Sequence, residues 1–253
     1  MIPIEDSVPR YCPPLVTWAI IGLNVIVFLY ETTLPPHALE QFMMLFGVVP
    51  ARYTTGEVGY HFLGGQLVGY WPFLTSLFLH GGWAHIVGNM WTLWIFGDNV
   101  EDRMGPLRYL IFYLCAGIVA SIFHIITNPT STVPTIGASG AISGVLGAYY
   151  VLFPRARIIL MVPVLFLPFF FELPAFFYLA FWFMEQVLSG TFALAAPSWA
   201  GGVAWWAHIG GFLFGVATCR LFMIGSKSHH WCSGRDYADQ LSVLGFYNNK
   251  DRI

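Results

Sequence analysis

Three short motifs in the sequence carry side chains that could perform acyl-transfer chemistry. HGGWAHIVGN contains His85 and Asn89, TIGASGA contains Ser139, and WWAHIGG contains His208. A serine hydroxyl becomes a nucleophile when an imidazole accepts its proton, and imidazole and carboxamide N–H groups can stabilise the oxyanion of a tetrahedral intermediate. The residue types therefore indicate a serine nucleophile with a histidine base, provided that the fold brings the motifs together.

The composition indicates that these motifs belong to an integral membrane protein. Of the 253 residues, 57% are hydrophobic and only 9% are charged, whereas soluble domains have roughly 25% charged residues. So few charges could not cover the surface of a soluble protein of this size. The same composition excludes a disordered chain, and a net charge of −2 excludes a basic nucleic-acid-binding protein.

The apolar runs predict an all-α polytopic fold with six transmembrane helices. The fourth span is short, and a long interfacial loop joins spans 1 and 2. A membrane-spanning helix needs roughly 17–25 apolar residues, and the six candidates are 15–31, 81–97, 107–127, 139–153, 171–189 and 203–222.

The segments outside these spans complete the predicted organisation. Residues 156–170 are apolar but contain Pro163 and Pro168, so we expect an interfacial connector rather than a seventh span. In the loop 32–80, the stretch FMMLFGVVP is expected to lie in the headgroup plane. The predicted regions are a cytoplasmic N-terminus, a six-span catalytic domain and a cytoplasmic polar tail, at 1–14, 15–222 and 223–253.

The basic residues predict the orientation, because cytoplasmic loops carry the excess of lysine and arginine. Ten of the eleven basic residues fall on one side of the six spans, and only Arg52 falls on the other. Both termini are therefore expected to be cytoplasmic, in a plasma (inner) membrane. The ten are Arg10, Arg103, Arg108, Arg155, Arg157, Arg220, Lys227, Arg235, Lys250 and Arg252.

Ser139 is expected to lie below the outer membrane surface, at the start of the short fourth span. Residues 139–153 would extend only ~22 Å as a helix, against a hydrocarbon core of ~30 Å. The preceding loop must then enter the membrane, where irregular backbone survives only if it is buried in protein or lines a water-filled cavity. The turn formed by Gly137 and Gly140 would leave free N–H groups beside the serine, although such turns are also typical of helix packing.

His208 lies about five residues, or ~8 Å, inside the outer end of span 6. Ionisable residues at this depth usually face a cavity or a partner. Ala207, Gly211 and Gly215 form a smooth face next to it, and Gly140 and Gly144 form one on span 4. Two such faces allow close backbone approach, which a Ser–His hydrogen bond requires. The alternative is a structural hydrogen bond from His208 to a neighbouring helix.

Span 2 supplies the candidate oxyanion donors. His85 and Asn89 are four residues apart and share one helical face, at the depth expected for Ser139. Alternatively, they tie loop backbone to the helix, a role that fits His80 better. A metal site formed by His80, His85 and His208 is a weaker alternative because no carboxylate or further histidine completes it.

We find no acidic residue at a suitable depth to complete a catalytic triad. Asp98, Glu101 and Asp102 lie at the cytoplasmic end of span 2, and Glu172 is also on that side. Glu185, near the outer end of span 5, is expected at the interface beside Gln186. The sequence therefore predicts a Ser–His dyad, with His208 acting as general base and then general acid.

Taken together, the motifs resemble those of the rhomboid family of intramembrane serine proteases, in their bacterial six-span form. The matching patterns are HxxxN (His85, Asn89), GxSG (Gly137, Ser139) and AHxxG (Ala207, His208, Gly211). They occur in the order and the spans that the resemblance requires, and the resemblance covers roughly residues 15–222.

The resemblance implies an enzyme that cleaves single-span membrane proteins within the bilayer without a cofactor or metal ion. Ser139 would be the nucleophile and His208 the base. His85, Asn89 and the Ser139 backbone N–H would form the oxyanion hole, supported by Gly137, Gly140 and His80. Spans 2 and 5 would form a lateral opening, with Phe181 and Trp182 as gate residues. The alternative is a non-catalytic rhomboid-like protein that binds membrane helices.

Two positions depart from the family pattern. The first loop has Trp71-Pro72 where some bacterial members have Trp-Arg, and Ser143 stands where a tyrosine often supports the histidine ring. Either the ring of His208 is held less tightly, or another aromatic residue such as Trp205 holds it.

Overall fold

The structure is a computed structural model that describes residues 1–54, 69–164, 167–194 and 202–224. Within these ranges the chain is mostly helical, with one small sheet. In chain order, the elements are β1 (Ile2–Asp6), α1 (Leu15–Thr33), α2 (Pro36–Phe46), α3 (Ala51–Thr54), α4 (Pro72–Thr75), α5 (Trp83–Met104), α6 (Pro106–Thr127), α7 (Ser139–Leu152), β2 (Arg157–Val164), β3 (Leu167–Pro174), α8 (Ala175–Ala193) and α9 (Trp205–Thr218).

Each of the six predicted spans overlaps one helix, namely α1, α5, α6, α7, α8 and α9. Among the described residues, two of these helices, α1 and α6, are long and apolar enough to cross a membrane by length and composition. Helix α7 is apolar but has only 14 residues, as expected for the short fourth span. The predicted tail, residues 223–253, lies almost entirely outside the described ranges.

The expectation of a purely helical fold is wrong, because β1, β2 and β3 form a three-stranded antiparallel sheet. The described residues of the predicted connector 156–170 are mostly β-structure: Arg157–Val164 pairs with Leu167–Pro174, and Pro163 lies opposite Pro168. A proline at this end of the hairpin removes few ladder hydrogen bonds. Pairing in β3 also delays the start of α8 to Ala175, later than the predicted start of span 5 at residue 171.

The N-terminal strand is attached to the helical bundle by polar contacts. Asp6 accepts hydrogen bonds from the Asn99 side chain on α5 at 2.7 Å and from the Tyr149 hydroxyl on α7 at 2.9 Å. Between β1 and α1, Cys12 is disulfide-bonded. The contacts of Asp6 attach the N-terminal strand to α5 and α7.

Helix α7 is the centre of the bundle and packs directly against the backbone of α9. A Cβ atom on Gly211 would lie 2.1 Å from the carbonyl oxygen of Gly140, and one on Gly215 would lie 2.0 Å from that of Gly144. Only glycine permits this approach. Because the two backbones touch, side chains at the adjoining ends of α7 and α9 can meet.

Helices α1 and α5 are joined at the opposite end of the bundle, away from Ser139. The fully buried carboxylate of Glu101 accepts hydrogen bonds from the backbone N–H groups of Val16 and Thr17 at 2.9 and 2.8 Å, and from the Thr17 hydroxyl at 2.8 Å. Two of these donors are free N–H groups at the start of α1 that have no partner within that helix. Glu101 therefore acts as a cap provided by another helix.

Candidate active site

Ser139 and His208 come together where α7 and α9 begin. Ser139 is the first residue of α7 and is half-buried, and His208 lies one turn into α9 and is 8% exposed. The His208 Nε2 atom lies 2.8 Å from the Ser139 Oγ atom. This distance allows the imidazole to accept the hydroxyl proton.

A third residue, Gln186 on α8, contacts the other nitrogen of the His208 ring. The distance between His208 Nδ1 and Gln186 Oε1 is 2.7 Å, and Gln186 is 3% exposed. The sequence analysis named Gln186 only as a neighbour of Glu185 and missed it as a partner of the histidine. The available signal was an amide beside Glu185 in a mostly apolar helix, because a buried amide needs a hydrogen-bond partner.

The candidate oxyanion donors lie in the first turns of α5. The backbone N–H of Gly81 donates to His85 Nδ1 at 3.3 Å, so Nε2 is the nitrogen that carries hydrogen in the neutral ring. A Cβ atom on Gly137 would lie 2.7 Å from His85 Nε2 and 3.6 Å from Asn89 Nδ2. Both donors therefore lie beside the chain two residues before Ser139.

Gly137 has a conformation that favours glycine. Its φ angle is +118°, a region that other residues rarely adopt. Its N–H donates to the carbonyl of Ser76 at 2.8 Å. This bond anchors the loop before α7 to the segment before α5, so one turn aligns Ser139 with His85 and Asn89.

The side chain of His80 contacts the side-chain amide of Asn89. The His80 Nε2 atom lies 2.9 Å from Asn89 Nδ2, and the backbone N–H of His80 donates to the buried Glu31 carboxylate at 3.3 Å. The pKa of His80 is lowered to about 4, mainly by burial and to a smaller extent by the nearby His85. The neutral ring can therefore accept one N–H of the Asn89 amide and leave the second N–H for another acceptor.

A small cavity adjoins Ser139. The volume open to the centre of a water molecule is about 20 Å³, and one water needs roughly 10–15 Å³. It is lined by Ser76, Leu77, Gly117, Ala120, Ser121, Thr135, Ile136, Gly137, Ser139, Gly140, Ala204 and Ala207. Water can therefore occupy a position next to the serine.

Of the aromatic residues that the structure describes near His208, neither Trp182 nor Trp205 is stacked on its ring. Trp205 meets the imidazole edge-on, with ring centroids 6.2 Å apart and an interplanar angle of 86°, and Trp182 lies at 6.1 Å and 32°. Ser143, at the position expected to differ, donates its hydroxyl to the Ser139 carbonyl at 2.7 Å. The hydrogen bond to Gln186, rather than an aromatic platform, thus holds the ring.

The two proposed gate residues differ in their surroundings. Phe181 is 65% exposed, whereas Trp182 packs against Phe212 of α9 with ring centroids 5.9 Å apart.

Within the described ranges, no three His, Cys, Asp or Glu side chains form a group that could hold a metal ion.

Comparison with known proteins gives a consistent set of relatives. The chain is 29% identical to mitochondrial Rhomboid protein 1 of Saccharomyces cerevisiae over 217 residues, 81% of this chain and 52% of that protein. It is 33% identical to the putative rhomboid protease YdcA of Bacillus subtilis over 116 residues, 44% and 57% of the two chains. It is 46% identical to the rhomboid protease GluP of the same organism over 79 residues, 31% and 15%.

The chain thus spans little more than half the length of these relatives, or less. The sequence model of the Rhomboid domain matches residues 68–224, a range that contains Ser139, His208, Gln186, His85 and Asn89. The chain belongs to the rhomboid family of membrane proteins.

Proposed function

We propose that the protein is an intramembrane serine endopeptidase that cleaves transmembrane segments of single-span membrane proteins. The observation that carries this proposal is the 2.8 Å contact between Ser139 Oγ and His208 Nε2, next to N–H donors and a water-sized cavity. A protein that only bound membrane helices would need none of these features. Protease names among the relatives support the same class of activity.

The reaction begins when Ser139 attacks the scissile carbonyl carbon. His208 accepts the hydroxyl proton at Nε2, and the carbonyl oxygen becomes an oxyanion. His85 Nε2–H, Asn89 Nδ2–H and the Ser139 backbone N–H donate to that oxygen. Such donors are worth most when they are fixed in advance in a site of low dielectric constant.

Collapse of the tetrahedral intermediate releases the amine half of the substrate. His208 returns its proton to the leaving nitrogen, and an acyl ester remains on Ser139. A water from the cavity beside Ser139 then attacks this ester, with His208 again accepting a proton. As the resulting tetrahedral intermediate collapses, the ester bond breaks and His208 gives its proton to Ser139 Oγ, which restores the enzyme and frees the carboxylic acid half of the substrate.

We also propose six spans in a plasma (inner) membrane, with both termini cytoplasmic and the site opening to the outer side. Substrate helices would reach the site between α5 and α8, past Phe181 and Trp182.

The orientation of the spans is tested directly, because the disulfide at Cys12 is more typical of an oxidising compartment. A reporter that is active only in the cytoplasm should work when fused after residue 253 and fail when inserted after residue 131. The reverse pattern would overturn the orientation.

The activity itself is tested in reconstituted vesicles with a fluorogenic transmembrane peptide. Wild-type protein should cleave the peptide, and Ser139→Ala and His208→Ala should not. Equal binding of the peptide by all three proteins without cleavage would favour the non-catalytic, helix-binding function instead. Cleavage by both variants at the wild-type rate would refute the assignment of the site.

A further inference from the structure

The side chain of Gln186 lies on the opposite side of the His208 ring from Ser139. The ring is held between two contacts, 2.7 Å from Nδ1 to Gln186 Oε1 and 2.8 Å from Nε2 to Ser139 Oγ. Both Gln186 and His208 are buried, at 3% and 8% exposure. At that burial, each polar atom needs a partner of the right kind.

Glu185 determines which end of the Gln186 amide faces the histidine. Its carboxylate accepts a hydrogen bond from Gln186 Nε2 and another, at 3.2 Å, from the hydroxyl of Ser189 one turn later. Both oxygens of Glu185 act as acceptors in these two contacts, so the NH2 group of Gln186 points toward Glu185. The amide oxygen is then the atom that faces His208.

The orientation of the amide determines the tautomer of the imidazole. A carboxamide oxygen can only accept a hydrogen bond, so His208 Nδ1 must carry the hydrogen. In the neutral ring, Nε2 then has a free lone pair, which faces the Ser139 hydroxyl. This is the one neutral tautomer that can accept the serine proton.

We infer that Gln186, oriented by Glu185, is a positioning residue that holds His208 in the tautomer able to accept the Ser139 proton. This inference rests on the proposed protease function. A neutral amide orients the ring without placing a negative charge next to it. Among the described residues, the other titratable groups near the ring are His85 on α5, His124 on α6 and Glu185 on α8, and the hydrogen-bond partners of the His208 ring there are Gln186 and Ser139.

The test compares Gln186→Leu with the nearly isosteric Gln186→Glu in the reconstituted peptide assay. Leucine removes the acceptor, so kcat should fall by about 10- to 1,000-fold with KM changed only a few-fold; a wrong tautomer in a serine protease triad costs ~10⁴-fold. Glutamate keeps an acceptor and adds a negative charge, which favours the protonated ring. Activity should persist, and the acidic limb of the kcat/KM profile should move up by about one pH unit or more.

Two further variants separate orientation from general damage to α8. Glu185→Gln supplies a partner that can donate as well as accept, so it no longer selects one amide orientation, and kcat should fall several-fold. Leu188→Met, on the exposed face of the same helix, is the matched control and should behave as wild type. If Gln186→Leu does not fold, as judged by its thermal transition, the pH profile of Gln186→Glu decides alone.

A wild-type kcat and pH profile for Gln186→Leu, or an unshifted acidic limb for Gln186→Glu, would overturn the inference. Ser139→Ala is measured in the same series. If Ser139→Ala is inactive while both Gln186 variants match wild type, only the role of Gln186 fails. If Ser139→Ala also cleaves normally, the proposed function fails first.

Discussion

Gly137 lies so close to the ring of His85 that no side chain fits between them. A Cβ atom at position 137 would be 2.7 Å from His85 Nε2, and the backbone there already has a φ angle of +118°. The backbone of the loop before the nucleophile thus packs directly against a side chain at the start of α5. The position of the proposed oxyanion donors relative to Ser139 depends on this contact.

Gly137→Ala is therefore expected to displace His85 and weaken oxyanion stabilisation. Loss of one such donor typically lowers kcat by roughly 10²–10³-fold, and we expect a loss in that range. The matched control is Gly88→Ala on α5, where an added Cβ would meet no atom within 4 Å. A Gly137→Ala protein with wild-type kcat would show that the site does not depend on this contact.

The two donors themselves should contribute to kcat rather than to substrate binding. His85→Ala and Asn89→Ala should each lower kcat by about 10²–10³-fold and leave KM nearly unchanged, because the oxyanion exists only in the transition state and intermediates. Steady-state kinetics on the transmembrane peptide measure both constants. A large rise in KM at constant kcat would instead indicate that these residues bind the ground state.

The packing of α7 against α9 predicts a stability effect at Gly215. A Cβ atom there would lie 2.0 Å from the carbonyl oxygen of Gly144, so the helices must separate in Gly215→Ala. Overpacking typically costs about 1–3 kcal/mol, and a lower thermal transition in detergent should report it. Gly22→Ala on α1, where the added Cβ meets no atom within 4 Å, should not lower the transition.

The cap that Glu101 provides for α1 predicts a loss of stability at a distance from the site. Glu101→Ala leaves the N–H groups of Val16 and Thr17 without their acceptor, and an unsatisfied buried polar group costs roughly 1–3 kcal/mol. The free energy of unfolding should fall by that amount while kcat of the folded fraction is retained. Glu40→Ala, at an exposed position on α2, should change stability by no more than ~0.5 kcal/mol.

Much of the candidate site could be predicted because its motifs are local. The four-residue spacing of Gly211 and Gly215 indicated a close approach to α7, and the structure has backbone contacts at both positions. The four-residue spacing of His85 and Asn89 indicated a common helical face. Both predictions rest on helical periodicity, which the sequence contains directly.

Gln186 and the hairpin were missed for different reasons. Contact between Gln186 and His208 depends on how α8 is rotated against α9, which a mostly apolar helix with only a few polar residues in its second half does not reveal. In residues 156–170 nearly every position is apolar, so the two-residue alternation that exposes a strand is hidden. The buried side chains of Ile158 and Leu160 follow that alternation, but their equally apolar neighbours obscure it.

Covalent labelling of Ser139 tests the central claim most directly. A fluorophosphonate should modify wild-type protein once, at Ser139, because His208 activates this hydroxyl. His208→Ala should lose the label, and Ser139→Ala should not be labelled at all, as measured by intact mass and peptide mapping. Equal labelling of wild type and His208→Ala, or labelling at another serine, would contradict a nucleophile activated by His208.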